Sequence, residues 1–64
     1  MIKVKLTVVP SFVEKGMFYV KAISDYDIYE KKVRAKSLSR CTYWMQKFFT
    51  VYNANCYGKK AVFI

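Results

Sequence analysis

A chain of 64 residues with twelve Lys and Arg, four Asp and Glu and no His carries a formal charge of +8. That length makes one domain, residues 1–64, which buries only about 60% of its unfolded surface, so stability must rest on large side chains, and Phe, Tyr and Trp form 19% of the sequence. The lack of His removes the usual general base near neutral pH and leaves Cys41 and Cys56 short of the roughly four N or S ligands of a zinc site.

Ile2, Val4, Leu6 and Val8 alternate with Lys3, Lys5, Thr7 and Val9. This period of two marks a strand with one buried face. Pro10 closes it, because proline has no N–H to give to a ladder. Residues 11–16 form a loop, in which Phe12 is expected to fold back onto the core. Residues 17–23 make a second strand, with Phe18, Val20 and Ala22 on one face and Tyr19 and Lys21 on the other. The loop length suits an antiparallel hairpin. Ser24-Asp25-Tyr26-Asp27 is turn chemistry, since Ser and Asp side chains bond to nearby backbone. Asp25 and Asp27 read as turn residues rather than a metal pair, because no further ligand accompanies them. Residues 28–36 read as a third strand, with Tyr29, Val33 and Ala35 inward and Lys32 and Arg34 outward. A helix over residues 26–36 is the competing reading, because Glu30-Lys31-Lys32 suits a helix as well.

From Ser37 to Tyr52 the period changes. Leu38, Cys41, Met45, Phe48, Phe49 and Tyr52 recur at steps of three and four, which puts them on one side of a helix. Ser39, Tyr43, Gln46 and Thr50 take the other side. Ser37 or Ser39 serves as N-cap, and residues 53–58 break the helix, with Gly58 or Asn55 left-handed. Residues 61–64 are apolar strand formers that return at a sheet edge. The expected fold is α+β: an antiparallel three- or four-stranded sheet in the order β-β-β-α-β, with one helix packed on one face. Cys41 reads as a small buried hydrophobe. Reduced thiols in a cytoplasmic protein are expected, with a Cys41–Cys56 bridge as the alternative. The apolar start is interrupted by Lys3 and Lys5, and no apolar run nears the roughly 18 residues of a membrane span. Neither a signal peptide nor a membrane partner is therefore expected, and a monomer and a homodimer both remain open.

Four scattered carboxylates, two glycines and no His offer no acid/base pair, phosphate loop or metal site. The reading is a binding protein with no catalytic residues, no metal and no cofactor. The charge excess reads either as a solubilising charge on an unusually apolar chain or as a match for an anionic partner. That partner is DNA or RNA, an acidic protein surface or, weakest, anionic lipid, against which the uncharged outer side of the helix argues. Lys31, Lys32, Arg34 and Lys36 lead through Ser37 and Ser39 to Arg40. A helix start carries partial positive charge and free N–H groups, so cations without acids there suit a visiting phosphate; the alternative is that these charges are solvated and the serines only cap the helix. The alternation also points Lys3, Lys5, Tyr19, Lys21, Lys32 and Arg34 away from the helix, a basic surface with one aromatic ring. Trp44, beside Arg40 and Lys47, either widens the core seam or, with Tyr43, anchors a partner.

Met1, Val4, Lys5, Phe12, Met17 and Phe18, with their spacing, resemble the start of the Dmd antitoxins and similar small early proteins of T-even phages. The likeness covers roughly residues 1–20, with a similar total length and a later aromatic-containing helix. It implies a small phage protein that binds and disables a host protein in the cytoplasm, a stoichiometric inhibitor or adaptor instead of a catalyst. This chain is far more basic, and no functional residue carries over.

Overall fold

The alternation in the first eight residues becomes a strand, β1 (Ile2–Pro10), in which Ile2 and Val4 are buried and Lys3 and Lys5 exposed. The computed structural model describes all of residues 1–64. Strand β2 (Met17–Ile23) buries Phe18, Val20 and Ala22 on the same side. Strand β3 (Ile28–Arg34) half-buries Tyr29 and Val33, so the extended reading of this segment holds over the helical one, but the strand stops two residues short of Lys36, where the chain turns toward the helix. The helix α1 (Leu38–Tyr57) follows, and the short strand β4 (Ala61–Phe63) ends the chain.

The four strands form one open sheet in the order β3-β2-β1-β4. β1 pairs antiparallel with β2, setting Val8 opposite Val20 and Val9 opposite Tyr19. β2 pairs antiparallel with β3, setting Phe18 opposite Val33, Tyr19 opposite Lys32 and Lys21 opposite Glu30. β4 lies at the edge beside β1, but parallel to it, with Ile2 opposite Ala61. The sheet is therefore mixed, not antiparallel throughout as the sequence suggested. The cause is the connection. A 20-residue helix is about 30 Å long and carries the chain back along the sheet. The next strand then runs in the same direction as β3, and hence as β1. Parallel strands require such a crossover.

Two clusters make up the core. Phe49 joins Ile2, Val4, Ala22 and Ala61 in one, flanked by Tyr29, Met45 and Tyr52. Cys41 joins Phe18 and Val20 in the other, flanked by Val33, Ala35 and Met45. Tyr29 meets Phe49 edge-on at 5.0 Å between ring centres, a favoured aromatic geometry. The buried part of the helix is narrower than its apolar stripe. Leu38 and Phe48 lie at its margins and stay nearly half exposed.

Two local expectations are corrected. Phe12 does not reach the core and is 99% exposed. The loop that carries it is held tight instead: Ser11 Oγ accepts from the N–H groups of Val13 and Glu14, and Gly16 turns the chain at φ 79°. The helix also does not break at Asn53 but runs on to Tyr57. Asn53 is buried and donates its Nδ2 to the Phe49 carbonyl at 2.8 Å, so its side chain is satisfied inside the helix and does not compete with it. Gly58 then takes the left-handed conformation at φ 62° and donates to Ala54 O, a glycine C-cap. No helix is long and apolar enough to cross a membrane.

Candidate functional site

The pleat divides the sequence-derived cations into two groups. Lys3 and Lys5 of β1, Tyr19 and Lys21 of β2, and Lys32 and Arg34 of β3 have the parity of the sheet face that points away from the core, as the register of Tyr19 with Lys32 and of Lys21 with Glu30 requires. All are exposed. Lys31 has the opposite parity. It lies across from Val20 and stands apart from its neighbours in sequence. Lys36, Ser37, Ser39 and Arg40 sit at the β3–α1 junction, outside the sheet.

The outer face is not free of acid. Glu30 pairs with Lys21 at 3.7 Å, and Glu14, from the β1–β2 loop, pairs with Lys32. The Lys32 hydrogen bond and charge hold the Glu14 carboxyl below the ordinary glutamate range, helped by Arg34. The same contact raises the Lys32 ammonium. Two of the face's cations therefore already have partners, while Lys3 and Lys5 stand without one. Of these strands only β3 is an edge of the sheet, and its Lys31, Lys32 and Arg34 also discourage edge-to-edge pairing.

The junction is different. Ser37 is the N-cap: the Arg40 N–H donates to its Oγ at 3.2 Å, and the Cys41 N–H donates to its carbonyl at 3.0 Å. Ser39 Oγ lies 3.3 Å from Ser37 Oγ. No acidic residue occupies the first turn, and the whole helix lacks Asp and Glu. Between the end of β3 and the start of α1 runs a groove of about 280 Å³, lined by Arg34, Lys36, Arg40, Cys41, Trp44 and Met45 along with Val33 and Ala35. Cys41 is 2% exposed, and burial pushes its thiol up, so it serves as apolar lining. Neither ion pair of the structure involves Lys36 or Arg40. Arg34 lines the groove while its guanidinium lies beside Gly16, near the outer face. It links the two cationic groups.

Trp44 is 57% exposed and does not widen the core seam. It forms the wall between this groove and a shallower apolar depression lined by Lys47, Phe48, Val51, Tyr52, Asn55 and Cys56. Tyr43 meets it edge-on at 5.5 Å, and Lys47 Nζ lies 5.1 Å from the centre of the Tyr43 ring, within cation–π range. Sequence reasoning did not find the groove. The signal was present, however: Arg40 and Trp44 stand four apart on the helix, with Lys36 just ahead of its N-cap. Both cysteines are free, Cys41 buried and Cys56 exposed.

The opposite end of the helix is closed by polar contacts. Tyr52 O–H donates to Asp27 Oδ2 at 2.7 Å. That bond, with burial, holds the phenol well above the ordinary tyrosine range. Tyr26 stacks on Tyr57 at 4.8 Å, and Lys59 Nζ donates to the Tyr26 hydroxyl at 2.8 Å. The cavity there measures about 20 Å³, room for little more than one water. The carboxylates form no cluster suited to a metal ion.

No family model matches the chain. No curated protein and no solved structure matches it either.

Proposed function

We propose that this protein binds nucleic acid without catalysing a reaction, with the β3–α1 groove as its principal contact and the outer sheet face as an extension. The observation that carries the reading is the groove itself. Lys36 and Arg40 flank it with no carboxylate partner, in a chain of net charge +8. Unpaired like charges destabilise a compact fold, and phosphate relieves that cost by releasing its own counterions. Free N–H groups at the helix start add to the attraction. Lys3 and Lys5 extend the positive surface, whereas Lys21 and Lys32 contribute less because Glu30 and Glu14 already hold them.

Titration of DNA and RNA at several salt concentrations tests the reading. The log–log slope should be about −0.9 per phosphate engaged on duplex and about −0.7 on single strands. No binding at low salt would remove it. A second reading, an acidic host protein neutralised in the cytoplasm, draws on the exposed Trp44, Phe48 and Val51, since aromatic anchors beside cations suit protein interfaces. A nuclease-treated pull-down separates the two: it favours the second if an acidic protein is retained that nucleic acid does not displace.

A further inference from the structure

We infer that the groove takes a single strand, with one unpaired base against Trp44 and phosphates on either side of it. The inference rests on the nucleic-acid reading above and narrows it to a strand type and a binding mode. Three observations carry it. The first is the exposure of Trp44: the ring is 57% exposed at the rim of a cationic groove, and no aromatic residue stacks parallel on it. A large ring left open there is costly in water and is a stacking platform for any base with a free face.

The second is the order of side chains on one helix face. Arg40, Trp44 and Lys47 stand at i, i+4 and i+7 and so share that face. The rise of 1.5 Å per residue sets the backbone positions of Arg40 and Lys47 about 10 Å apart along the axis with Trp44 between them. Arg40 lines the groove, and Lys47 lies on the other side of the ring, in the adjoining depression, with its Nζ against Tyr43. A cation, a ring and a cation in line match a phosphate, a base and the next phosphate of an extended strand. A free mononucleotide would leave one of the two cations unused. The third is the size of the groove. At about 280 Å³ it falls just below the range of typical small-ligand pockets, enough for one flat ring system. A duplex keeps its base faces stacked inside and cannot present one to Trp44 without flipping a nucleotide out.

Trp44 is the only tryptophan, so its fluorescence reports on this position alone. The test titrates the protein at low salt with oligothymidylate, with an abasic oligomer of equal length and with a duplex, reading tryptophan emission and the anisotropy of a labelled strand. Oligothymidylate should quench Trp44 and bind more tightly than the abasic strand, which should bind without quenching. Base stacking is worth about 1–3 kcal/mol, so Trp44→Ala should weaken oligothymidylate binding by about 5- to 150-fold. Trp44→Phe should restore most of it. Abasic binding should be unchanged in both variants, and circular dichroism should show both folded. Equal affinity for abasic and base-containing strands, tighter binding to duplex, or wild-type affinity in Trp44→Ala would overturn the inference while leaving the nucleic-acid reading intact. Absence of binding to all three would instead remove that reading. Quenching by polyglutamate as strong as by oligothymidylate would overturn the inference in favour of an acidic protein ligand.

Discussion

The two ends of α1 are built on opposite plans. At its finish, Tyr52 is bonded to Asp27, Tyr57 stacks on Tyr26, and Lys59 reaches the Tyr26 hydroxyl. Every polar group named there has a partner, and the cavity between the helix and the sheet beside Tyr52 and Asp27 is only about 20 Å³. At its start, the cap is satisfied by Ser37, but Lys36 and Arg40 have no acid and Trp44 has no cover. The four acids of the chain explain the asymmetry: Asp25 and Asp27 sit in the turn near the helix finish, and Glu14 and Glu30 are committed to the outer sheet face. One end of the helix is fastened to the sheet. The other presents charge, and in the proposed function that open end meets the ligand.

The strongest way to break this contrast is to remove what both ends depend on. Phe49 sits between them at 4% exposure, and Phe49→Ala should cost about 3–5 kcal/mol. A domain of this size has a core worth little more than that, so circular dichroism and urea titration should show a largely unfolded chain.

Next in size is the Lys36→Glu, Arg40→Glu pair. It should leave the urea midpoint unchanged or slightly raised, because acids at a helix start are favourable. It should sharply weaken nucleic-acid binding and flatten its salt slope by about 0.7 for each phosphate of a single strand that is no longer engaged. A parallel loss of stability would contradict the division of labour between the two ends.

Ser37→Ala tests the start without touching charge. Loss of its cap bond to Arg40 N–H should cost about 1 kcal/mol by urea titration. The weakened first turn should reduce binding less than the charge reversals do.

The smallest effect belongs to the fastened end. The Tyr52 phenol is raised by its bond to Asp27, so the folded state holds that proton more tightly than the unfolded state. The stability it contributes is fully present below the ordinary tyrosine value, about 10, and is lost as pH rises through the raised folded value. Ultraviolet titration of the folded protein should therefore show one of the six tyrosines ionising after the rest. Asp27→Asn should bring it back toward them, and an unaltered profile in that variant would place the cause elsewhere.

Much of the fold can be read from local pattern, because its elements bury alternating or three-four spaced residues. The faces of Ile2 to Val8 and of Phe18 to Ala22, the N-cap at Ser37 and the αL glycine at Gly58 all follow from short-range rules. The parallel pairing of β4 does not, because strand direction is set by the length of the intervening helix and not by residues 61–63. Asn53 misleads for a related reason. Asparagine favours breaks only where its side chain competes with the helix, and here it bonds to the Phe49 carbonyl within it. Phe12 looks like core by type alone, yet its tight loop carries it outward. The cations were legible as two sets, one on the outer sheet face and one leading into the helix, but not as paired and unpaired. Which of them meet an acid depends on Glu14 crossing from the first loop to Lys32, 18 positions away, and no local rule anticipates that.

The most direct test compares charge-matched variants in one salt-dependent titration with a single-stranded oligonucleotide. Lys36→Ala, Arg40→Ala and Lys3→Ala, Lys5→Ala each remove two positive charges. The account predicts the larger loss of affinity and of salt slope for the junction pair, with the strand pair closer to wild type. Equal losses would mean that net charge alone governs binding, and a larger loss for Lys3 and Lys5 would move the principal binding surface from the groove to the sheet.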